Sequence, residues 1–251
     1  MTNQSASDPY WGMGEFHDLF MDGAWEQVRP VLVEAFGGLE RDAVVVDLGA
    51  GSGIGTRLLA QSTAARVIAV EPSLMMRAVL TARVADDPTL AERVTVLADA
   101  EPQILERIGR PLAGFVCAHV LGHLSTADRV STWRGLARQL DVDARGVVVV
   151  DDGSEHQAGD PAVVERRIGE HRYMARHLPA GVGSYESEYT VLDGDRVVRH
   201  ERFTGSWRSI TLRQLDDELV EHGLSVEARG AGVGLVSRPR PAESTDDPPP
   251  A

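Results

Sequence analysis

Residues 44–56 read VVVDLGAGSGIGT, and they decide the fold more than any other stretch of the chain. A β-branched run leads to Asp47, a glycine-rich turn follows, and a helical pattern begins at Leu58. A continuous apolar run predicts a buried parallel strand. Glycines at its exit let the backbone turn sharply and approach a ligand, and the free N–H groups of the next helix can hold an anionic group. The stretch therefore predicts a nucleotide-type cofactor site at the carboxyl end of the first strand.

Two common nucleotide sites do not fit this turn. The dinucleotide fingerprint needs a third glycine where, counting from Gly49, this chain has Ile54. A P-loop needs a Gly-Lys pair, and the sequence contains no lysine. Both a nicotinamide-dependent oxidoreductase and a P-loop nucleotide hydrolase are therefore disfavoured.

Later apolar runs end in polar residues in the same way. Residues 65–73 read ARVIAVEPS, and Glu71 at the end of that strand can accept hydrogen bonds from both ribose hydroxyls. Residues 93–101 read RVTVLADAE, which places Asp99 directly after a third strand. Two more runs, at 114–124 and 146–152, predict the fourth and fifth strands. Strands that alternate with helices predict a parallel sheet with right-handed crossovers.

These motifs resemble the class I S-adenosylmethionine (SAM) methyltransferases over residues 42–152. The first turn is similar to the family's D/E-x-G-x-G-x-G motif, Glu71-Pro72-Ser73 looks like its ribose-binding acid, and Asp99-Ala100 stands where the family contacts adenine. The resemblance implies SAM as the methyl donor and S-adenosylhomocysteine as the product. It implies a cofactor site made of Asp47, Gly49, Ala50, Gly51, Gly53, Glu71, Pro72, Asp99, Ala100, Ala118 and His119. Two alternatives stay open: Asp47 holds the loop instead of touching the ligand, and Asp99 caps a helix.

The predicted fold is an α/β, Rossmann-like sheet of seven mostly parallel strands with an antiparallel last strand. Residues 1–38 are expected to form an N-terminal helical lid, and residues 39–240 the methyltransferase domain. Spacing of apolar residues from Phe20 to Phe36 predicts one amphipathic helix in the lid, and a charged helix is expected over residues 161–177. Alternating residues around an Asp-Gly turn predict a β-hairpin at 185–207, inserted after strand five over the acceptor site. The Pro-rich segment 241–251 is expected to be disordered.

Composition limits the partners. The chain of 251 residues has a net charge of −13, which disfavours binding to nucleic acid because that affinity comes from cationic contacts with phosphates. One cysteine excludes an internal disulfide and a Cys-based zinc site. No signal pattern and no apolar run of about 20 residues is present, so a cytoplasmic protein without a membrane partner is expected. The hairpin offers a possible homodimer interface.

Three residues are candidates for catalysis. His119 follows the fourth strand, and an imidazole with an ordinary pKa is a suitable general base at neutral pH. The alternative is that His119 only shapes its loop. In the predicted lid, Glu15 and His17 are candidates for contacting or orienting an acceptor amine. No metal is expected, because His119 and His123 lack the glutamate of an H-E-x-x-H motif.

Aromatic side chains predict the acceptor pocket. They tolerate a cationic sulfonium and form an apolar wall, although ordinary core packing is the alternative for each. After the hairpin, residues 207–211 read WRSIT and resemble a W/Y-R-x-x-T motif of small-molecule methyltransferases. The predicted acceptor residues are Tyr10, Trp11, His123, Tyr185, Tyr189, Trp207 and Arg208.

The resemblance and the lid together predict methyl transfer to a small-molecule acceptor by in-line displacement with His-assisted deprotonation. The expected acceptor is a bacterial secondary metabolite or its precursor, with an aromatic, indole-type or amine nucleophile. Two alternatives remain: a SAM-binding protein with a regulatory or assembly role, and a methyltransferase that acts on a peptide or protein.

Overall fold

A computed structural model describes residues 8, 10–100, 103–150, 163–178 and 183–239, except the side chains of Phe20 and Asp22. The main sheet has seven strands in the order β10-β11-β5-β4-β1-β2-β3, and β11 runs antiparallel to both of its neighbours. This confirms the predicted sheet with its antiparallel last strand. Its strands are β1 (Val44–Leu48), β2 (Arg66–Val70), β3 (Val94–Leu97), β4 (Leu112–Ala118), β5 (Leu140–Val149), β10 (Ser225–Gly230) and β11 (Val233–Ser237).

Helices cover both faces of this sheet because its strands are apolar on both sides. Val45 packs into one layer with α2 to α5, whereas Val44 and Val46 pack into the other with α6 to α8. The described helices are α1 (His17–Met21), α2 (Arg29–Phe36), α3 (Ile54–Ser62), α4 (Leu74–Asp86), α5 (Pro88–Arg93), α6 (Gln103–Ile108), α7 (Thr126–Gln139) and α8 (Leu212–Val220). Within the described ranges, no helix has the length and apolar character needed to cross a bilayer.

The insertion after β5 is a four-stranded antiparallel sheet in the order β6-β7-β8-β9, larger than the predicted hairpin. Its strands are β6 (Val163–Ile168), β7 (His171–Leu178), β8 (Ser184–Asp193) and β9 (Arg196–Ser206). The prediction of a helix over residues 161–177 is wrong for its described part, 163–177. Gly169 has a positive φ and turns the chain back on itself, and β7 pairs along its whole length with β8. That pairing buries Ala175 beside Tyr189, which overrides the helical propensity of the charged residues.

The predicted single helix before β1 is broken into shorter pieces. A short α1 leads into a 3₁₀ turn, Asp22–Trp25, and α2 starts afresh at Arg29. Pro30 explains the break, because a proline fits in the first turn of a helix but removes a hydrogen bond from its interior. The chain therefore bends between α1 and α2, and α1 lies over the cofactor loop while α2 packs on the sheet.

The lid segment, defined here as Tyr10–Trp25, also packs against the insertion sheet. Phe16 is fully buried and stacks on Tyr189 with ring centroids 4.8 Å apart. Met13 and Phe16 join Met76 of α4 and Val191 of β8 in one apolar cluster. The lid therefore bridges the main domain and the insertion sheet.

Candidate active site

The carboxyl ends of the parallel strands open onto a cavity of about 740 Å³ beneath the lid segment. That is the size range of a small-molecule or cofactor site. Its lining combines the glycine turn, the ends of β2, β3 and β4, the lid, and the end of β9. The lining residues with a direct bearing on chemistry are Asp8, Tyr10, His17, Trp25, Gly49, Ala50, Gly51, Glu71, Pro72, Arg77, Asp99, Ala100, Ala118, His119, His123 and Tyr185.

Asp47 holds the glycine turn in place. Its carboxylate is buried and accepts a hydrogen bond of 2.6 Å from the hydroxyl of Thr56 in α3. Burial raises the pKa of Asp47 to about 7. Asp47 does not line the cavity, so of the two roles left open by the sequence the structure favours support of the loop.

The turn needs glycine for two different reasons. Gly49 and Gly51 both have a positive φ, a conformation that other residues adopt only with strain. A Cβ on Gly49 would also lie 2.5 Å from a methyl of Val120, because the β4 loop presses on the turn. Gly51 faces open space instead, with no neighbouring atom within 4 Å of a Cβ built there. Gly51 therefore leaves room for a ligand to approach its backbone, whereas Gly49 allows two loops to meet.

Glu71 is tied to this turn. Its Oε2 accepts a hydrogen bond from the backbone N–H of Gly51 and its Oε1 one from Ser73, both at 2.7 Å. Burial raises the pKa of Glu71, while these two hydrogen bonds act in the opposite direction. Arg77 fixes the same region, donating to the carbonyl oxygens of Glu71 and Pro72. The carboxylate is thus held rigidly at the cavity wall, with a second lone pair on each oxygen left for a hydroxyl donor.

Asp99 and Ala100 line the cavity beyond Glu71. The backbone N–H of Ala100 donates to Asp99 at 2.9 Å, and Arg107 forms an ion pair with the same carboxylate. The hydrogen bond from Ala100 lowers the pKa of Asp99, with Arg107 adding to the effect. Asp99 therefore stays ionised at the end of the cavity where the resemblance places the adenine.

His119 directly follows β4 and lines the cavity with Ala118. Its φ of 57° is the one positive value among the described non-glycine residues. Its backbone N–H donates to Val149, and its ring lies edge-on to Trp25 with centroids 5.8 Å apart. This backbone conformation makes His119 part of the bend that brings the β4 loop under the lid.

His123 and Tyr10 form the closest polar pair on the other side of the cavity. Nε2 of His123 and the hydroxyl of Tyr10 are 2.7 Å apart. Burial lowers the pKa of His123 and raises that of Tyr10 far above its usual range, so both groups are neutral near pH 7. The hydroxyl donates to Nε2 when the imidazole carries its proton on Nδ1. Trp207 packs edge-on against the His123 ring at 4.8 Å and supports it from behind.

The lid is fastened to the main domain at two points, by Asp8 just before the segment and by Asp18 in its middle. Asp8 accepts hydrogen bonds from the Ser73 hydroxyl and the Met75 backbone at the start of α4. Asp18 pairs with Arg83 of α4, which also donates to the carbonyl oxygen of Ser52 in the glycine turn. Hydrogen bonds from the neighbouring side chains hold the pKa of Asp18 below its usual range, against the effect of burial.

Several predicted residues lie away from the cavity surface. Gly53 follows the glycine turn and caps α3. Glu15 forms an ion pair with Arg199 of β9 on the outside of the lid, and Trp11 is 49% exposed. The remaining three pack or bond around the cavity without lining it: Tyr189 stacks on Phe16, Trp207 lies against Gly122 and His123, and the backbone of Arg208 bonds to Gly122. Of the three catalytic candidates, His17 and His119 line the cavity.

The structure also brings in residues that the sequence did not single out. Asp8, Trp25 and Arg77 all line the cavity. Trp25 packs so closely on Gly55 that a Cβ there would lie 2.1 Å from its ring. In the sequence, the small residue Gly55 at the start of α3 is the signal for that contact. Asp8 has one local partner, the backbone N–H of Tyr10, but its partners Ser73 and Met75 lie more than 60 residues further along the chain.

A protein-family model described as a methyltransferase domain matches residues 45–143. This range contains the glycine turn, Glu71, Asp99 and the β4 loop, the same elements that build the cavity. Residues 45–143 therefore form a SAM-dependent methyltransferase domain. No curated protein sequence matches it.

Solved structures share the fold of this methyltransferase along most of their length. DesVI of Streptomyces venezuelae is 18% identical and matches with a TM-score of 0.66, covering 93% of this chain and 98% of its own. SAM-bound CalS10, an amino pentose methyltransferase from Micromonospora echinaspora, is 17% identical, with a TM-score of 0.64 and coverage of 95% and 98%. The sugar N-methyltransferase KedS8 from a Streptoalloteichus species is 20% identical, with a TM-score of 0.62 and coverage of 92% of each chain.

The cavity of the methyltransferase fits SAM, its methyl donor, which leaves as S-adenosylhomocysteine. Gly51 offers open space beside its backbone, and the held carboxylate of Glu71 has acceptor capacity toward ribose hydroxyls. Among the lining residues described, three carboxylates stand against one guanidinium, a balance that suits a cationic sulfonium. Among all residues that the structure describes, no cluster of three or more His, Cys, Asp or Glu side chains could hold a metal.

Proposed function

We propose that this methyltransferase transfers the methyl group to an amine nitrogen of a small natural-product intermediate. The Tyr10–His123 pair carries the proposal, because it places a neutral hydrogen-bond relay in the cavity. The side chains of Tyr10, His17, His123 and Tyr185 all line this cavity, which supports the proposal. An aromatic or indole-type acceptor is the less favoured variant, because this wall is rich in groups that accept or donate protons.

The relay suits an amine acceptor. When bound, SAM supplies an electrophilic methyl group on sulfur. The oxygen of Tyr10 can accept a hydrogen bond from an acceptor N–H while its own proton points to Nε2 of His123. The nitrogen lone pair forms the new N–C bond, the electron pair of the breaking bond leaves with sulfur, and the nitrogen becomes positively charged. Its proton passes to Tyr10 as the Tyr10 proton passes to His123.

Position and charge add to this relay. The lid lies along the cavity and carries Tyr10 to the side of the cavity where His123 stands. Aligning acceptor and methyl is the main catalytic contribution in a displacement of this kind. Asp8 and Glu71 place negative charge at the same cavity, which stabilises the positive charge on the methylated nitrogen.

The structural neighbours support a small polar acceptor. KedS8 is described as a sugar N-methyltransferase and CalS10 as an amino pentose methyltransferase. A third neighbour is described as a glycopeptide N-methyltransferase, at 20% identity and a TM-score of 0.53. At these identities the likeness shows only a shared fold, so the choice of nitrogen rests on the Tyr10–His123 geometry.

Methyl-labelled SAM with a panel of matched acceptors tests the proposal. Each acceptor should be offered as an amine, an alcohol and a phenol on the same scaffold, with product located by mass spectrometry. We expect label on the amine and little on the alcohol. Label on oxygen or carbon would refute the choice of nitrogen. Label on protein alone would refute a small-molecule acceptor, and tight SAM binding without any turnover would favour a binding role.

The base is tested separately. His123→Gln should lower kcat with an amine acceptor by about 100-fold, the usual scale of a general base, while SAM affinity changes little. His119→Gln should act mainly on cofactor affinity, since His119 shapes the β4 loop. The opposite result, with kcat lost only in the His119 variant, would restore His119 as the base predicted from sequence.

A further inference from the structure

Asp8 is the point where the lid, the cofactor loop and the acceptor side of the cavity meet. Its Oδ2 accepts hydrogen bonds from the Ser73 hydroxyl at 2.9 Å and from the Met75 backbone at 3.3 Å. Its Oδ1 accepts one from the backbone N–H of Tyr10 at 2.9 Å. One carboxylate, which also lines the cavity, therefore joins the start of α4 to the residue that faces His123.

These bonds belong to a longer chain of contacts. On one side, the backbone N–H of Ser73 donates to Glu71 at 2.7 Å, at the ribose end of the cavity. On the other side, the Tyr10 hydroxyl lies 2.7 Å from Nε2 of His123. The path from Glu71 through Ser73, Asp8 and Tyr10 to His123 crosses the cavity from the cofactor side to the acceptor side.

We propose that Asp8 is a positioning residue that makes the acceptor site dependent on the cofactor loop. It holds Tyr10 against His123 only while the turn at Ser73 has the shape that also fixes Glu71. This rests on the proposed function, in which Tyr10 and His123 face the acceptor. The proton relay is then complete only when Asp8 fastens the lid to the loop that holds the cofactor.

The other lid anchor does not serve this purpose. Asp18 binds Arg83 and the glycine turn, further along the lid from Tyr10. Its loss loosens α1 but leaves the bond between Asp8 and Tyr10 intact. Asp8 is thus the anchor that connects directly to the acceptor side.

The spectroscopic test uses the full chain loaded with S-adenosylhomocysteine and labelled with ¹⁵N-histidine. Tyr10→Phe removes the hydroxyl and should shift the Nε2 resonance of His123. We expect Asp8→Asn to shift that resonance in the same direction by at least half as much, and Glu26→Gln, an exposed carboxylate next to the lid, to leave it unmoved. An Asp8→Asn resonance equal to that of the unaltered protein would overturn the proposal.

A milder variant covers the case in which Asp8→Asn does not fold. Ser73→Ala removes one of the three hydrogen bonds to Asp8 and should shift the His123 resonance in the same direction by a smaller amount. An unmoved His123 resonance in Ser73→Ala would count against the path through Ser73. These readouts need no acceptor, so they decide the role of Asp8 even if the enzyme methylates something other than an amine.

A double-mutant cycle tests the same idea in turnover. Asp8→Asn alone should lower kcat/KM for the acceptor about tenfold, the scale of one lost hydrogen bond to a charged group. In the Tyr10→Phe background the same change should have little further effect, because Asp8 acts through Tyr10. Full additivity of the two losses would show that Asp8 only stabilises the fold.

Discussion

Glu71→Gln should weaken cofactor binding far more than its small change in shape suggests. Both carboxylate oxygens accept a backbone N–H at 2.7 Å, from Gly51 and from Ser73. A carboxamide has one oxygen, so its NH₂ group must face one of these donors. The variant loses one charge-assisted hydrogen bond and leaves a buried N–H unpaired, which costs about 2 kcal/mol. The variant also loses one of the two charged oxygens available to the ribose hydroxyls, and a loss of about 2 kcal/mol at that contact corresponds to roughly 30-fold weaker binding.

The assay is calorimetric titration with S-adenosylhomocysteine, which does not react. Asp99→Asn is the matched control, another acid at a strand end of the same cavity, and its loss should stay below about fivefold because that ion pair is solvent-screened. A thermal melt of each variant separates loss of the site from loss of the fold. Affinity of Glu71→Gln within threefold of the unaltered enzyme would refute the assignment of Glu71 to the cofactor loop.

Three further changes probe other parts of the structure. Gly55→Ala places a Cβ 2.1 Å from the Trp25 ring, so calorimetry should show stability reduced by about 1–3 kcal/mol and weaker cofactor binding. Unchanged binding would mean that the position of Trp25 does not shape the cofactor cavity. Glu218→Ala leaves Arg129, 8% exposed, without its carboxylate, and should lower stability by about 3–5 kcal/mol in a denaturant melt, whereas a loss under 1 kcal/mol would contradict the buried pair. Because burial lowers the pKa of His123, the imidazole stays neutral through neutral pH. After correction for the fraction of acceptor amine that is unprotonated at each pH, kcat/KM should be flat there and fall only below the usual histidine range. A fall of the corrected kcat/KM centred above that range would exclude His123 as the base.

The strand-end residues that line the cavity were predictable because their signals are local. The glycine turn, Glu71 and Asp99 each stand directly after an apolar strand, and parallel strands end at the same edge of a sheet. The family model covers these residues and confirms SAM as the cofactor. Which role Asp47 plays was not predictable, since loop support and ligand contact need the same residue at the same position.

The acceptor half depends on contacts between distant segments. The sequence named Tyr10 and His123 separately, but their hydrogen bond joins residues 113 positions apart. The sequence favoured His119 over His123 as the base because His119 directly follows β4. The partners and burial of each imidazole, which bear on that choice, exist only in the folded chain. The bonds that Asp8 accepts from Ser73 and Met75 were hidden from the sequence for the same reason.

The insertion shows how tertiary pairing overrides local propensity. Residues 163–178 contain four Arg and two Glu, which favour a helix in isolation, yet they form β6 and β7. The edge that β8 offers to β7, together with the buried face around Ala175 and Tyr189, decides their structure. The Asp-Gly hairpin turn between β8 and β9 was predictable, because its turn residues are specific.

The most direct test of the methyl-transfer site measures which side chains lie beside the reacting methyl group. SAM labelled with ¹³C at its methyl group, bound to the full chain, gives nuclear Overhauser contacts with side chains beside the methyl. We predict contacts with the ring protons of both Tyr10 and His123, which disappear for His123 when it is replaced by Gln. Contacts with neither of these rings would contradict the proposal that the acceptor nitrogen meets the methyl at the Tyr10–His123 pair.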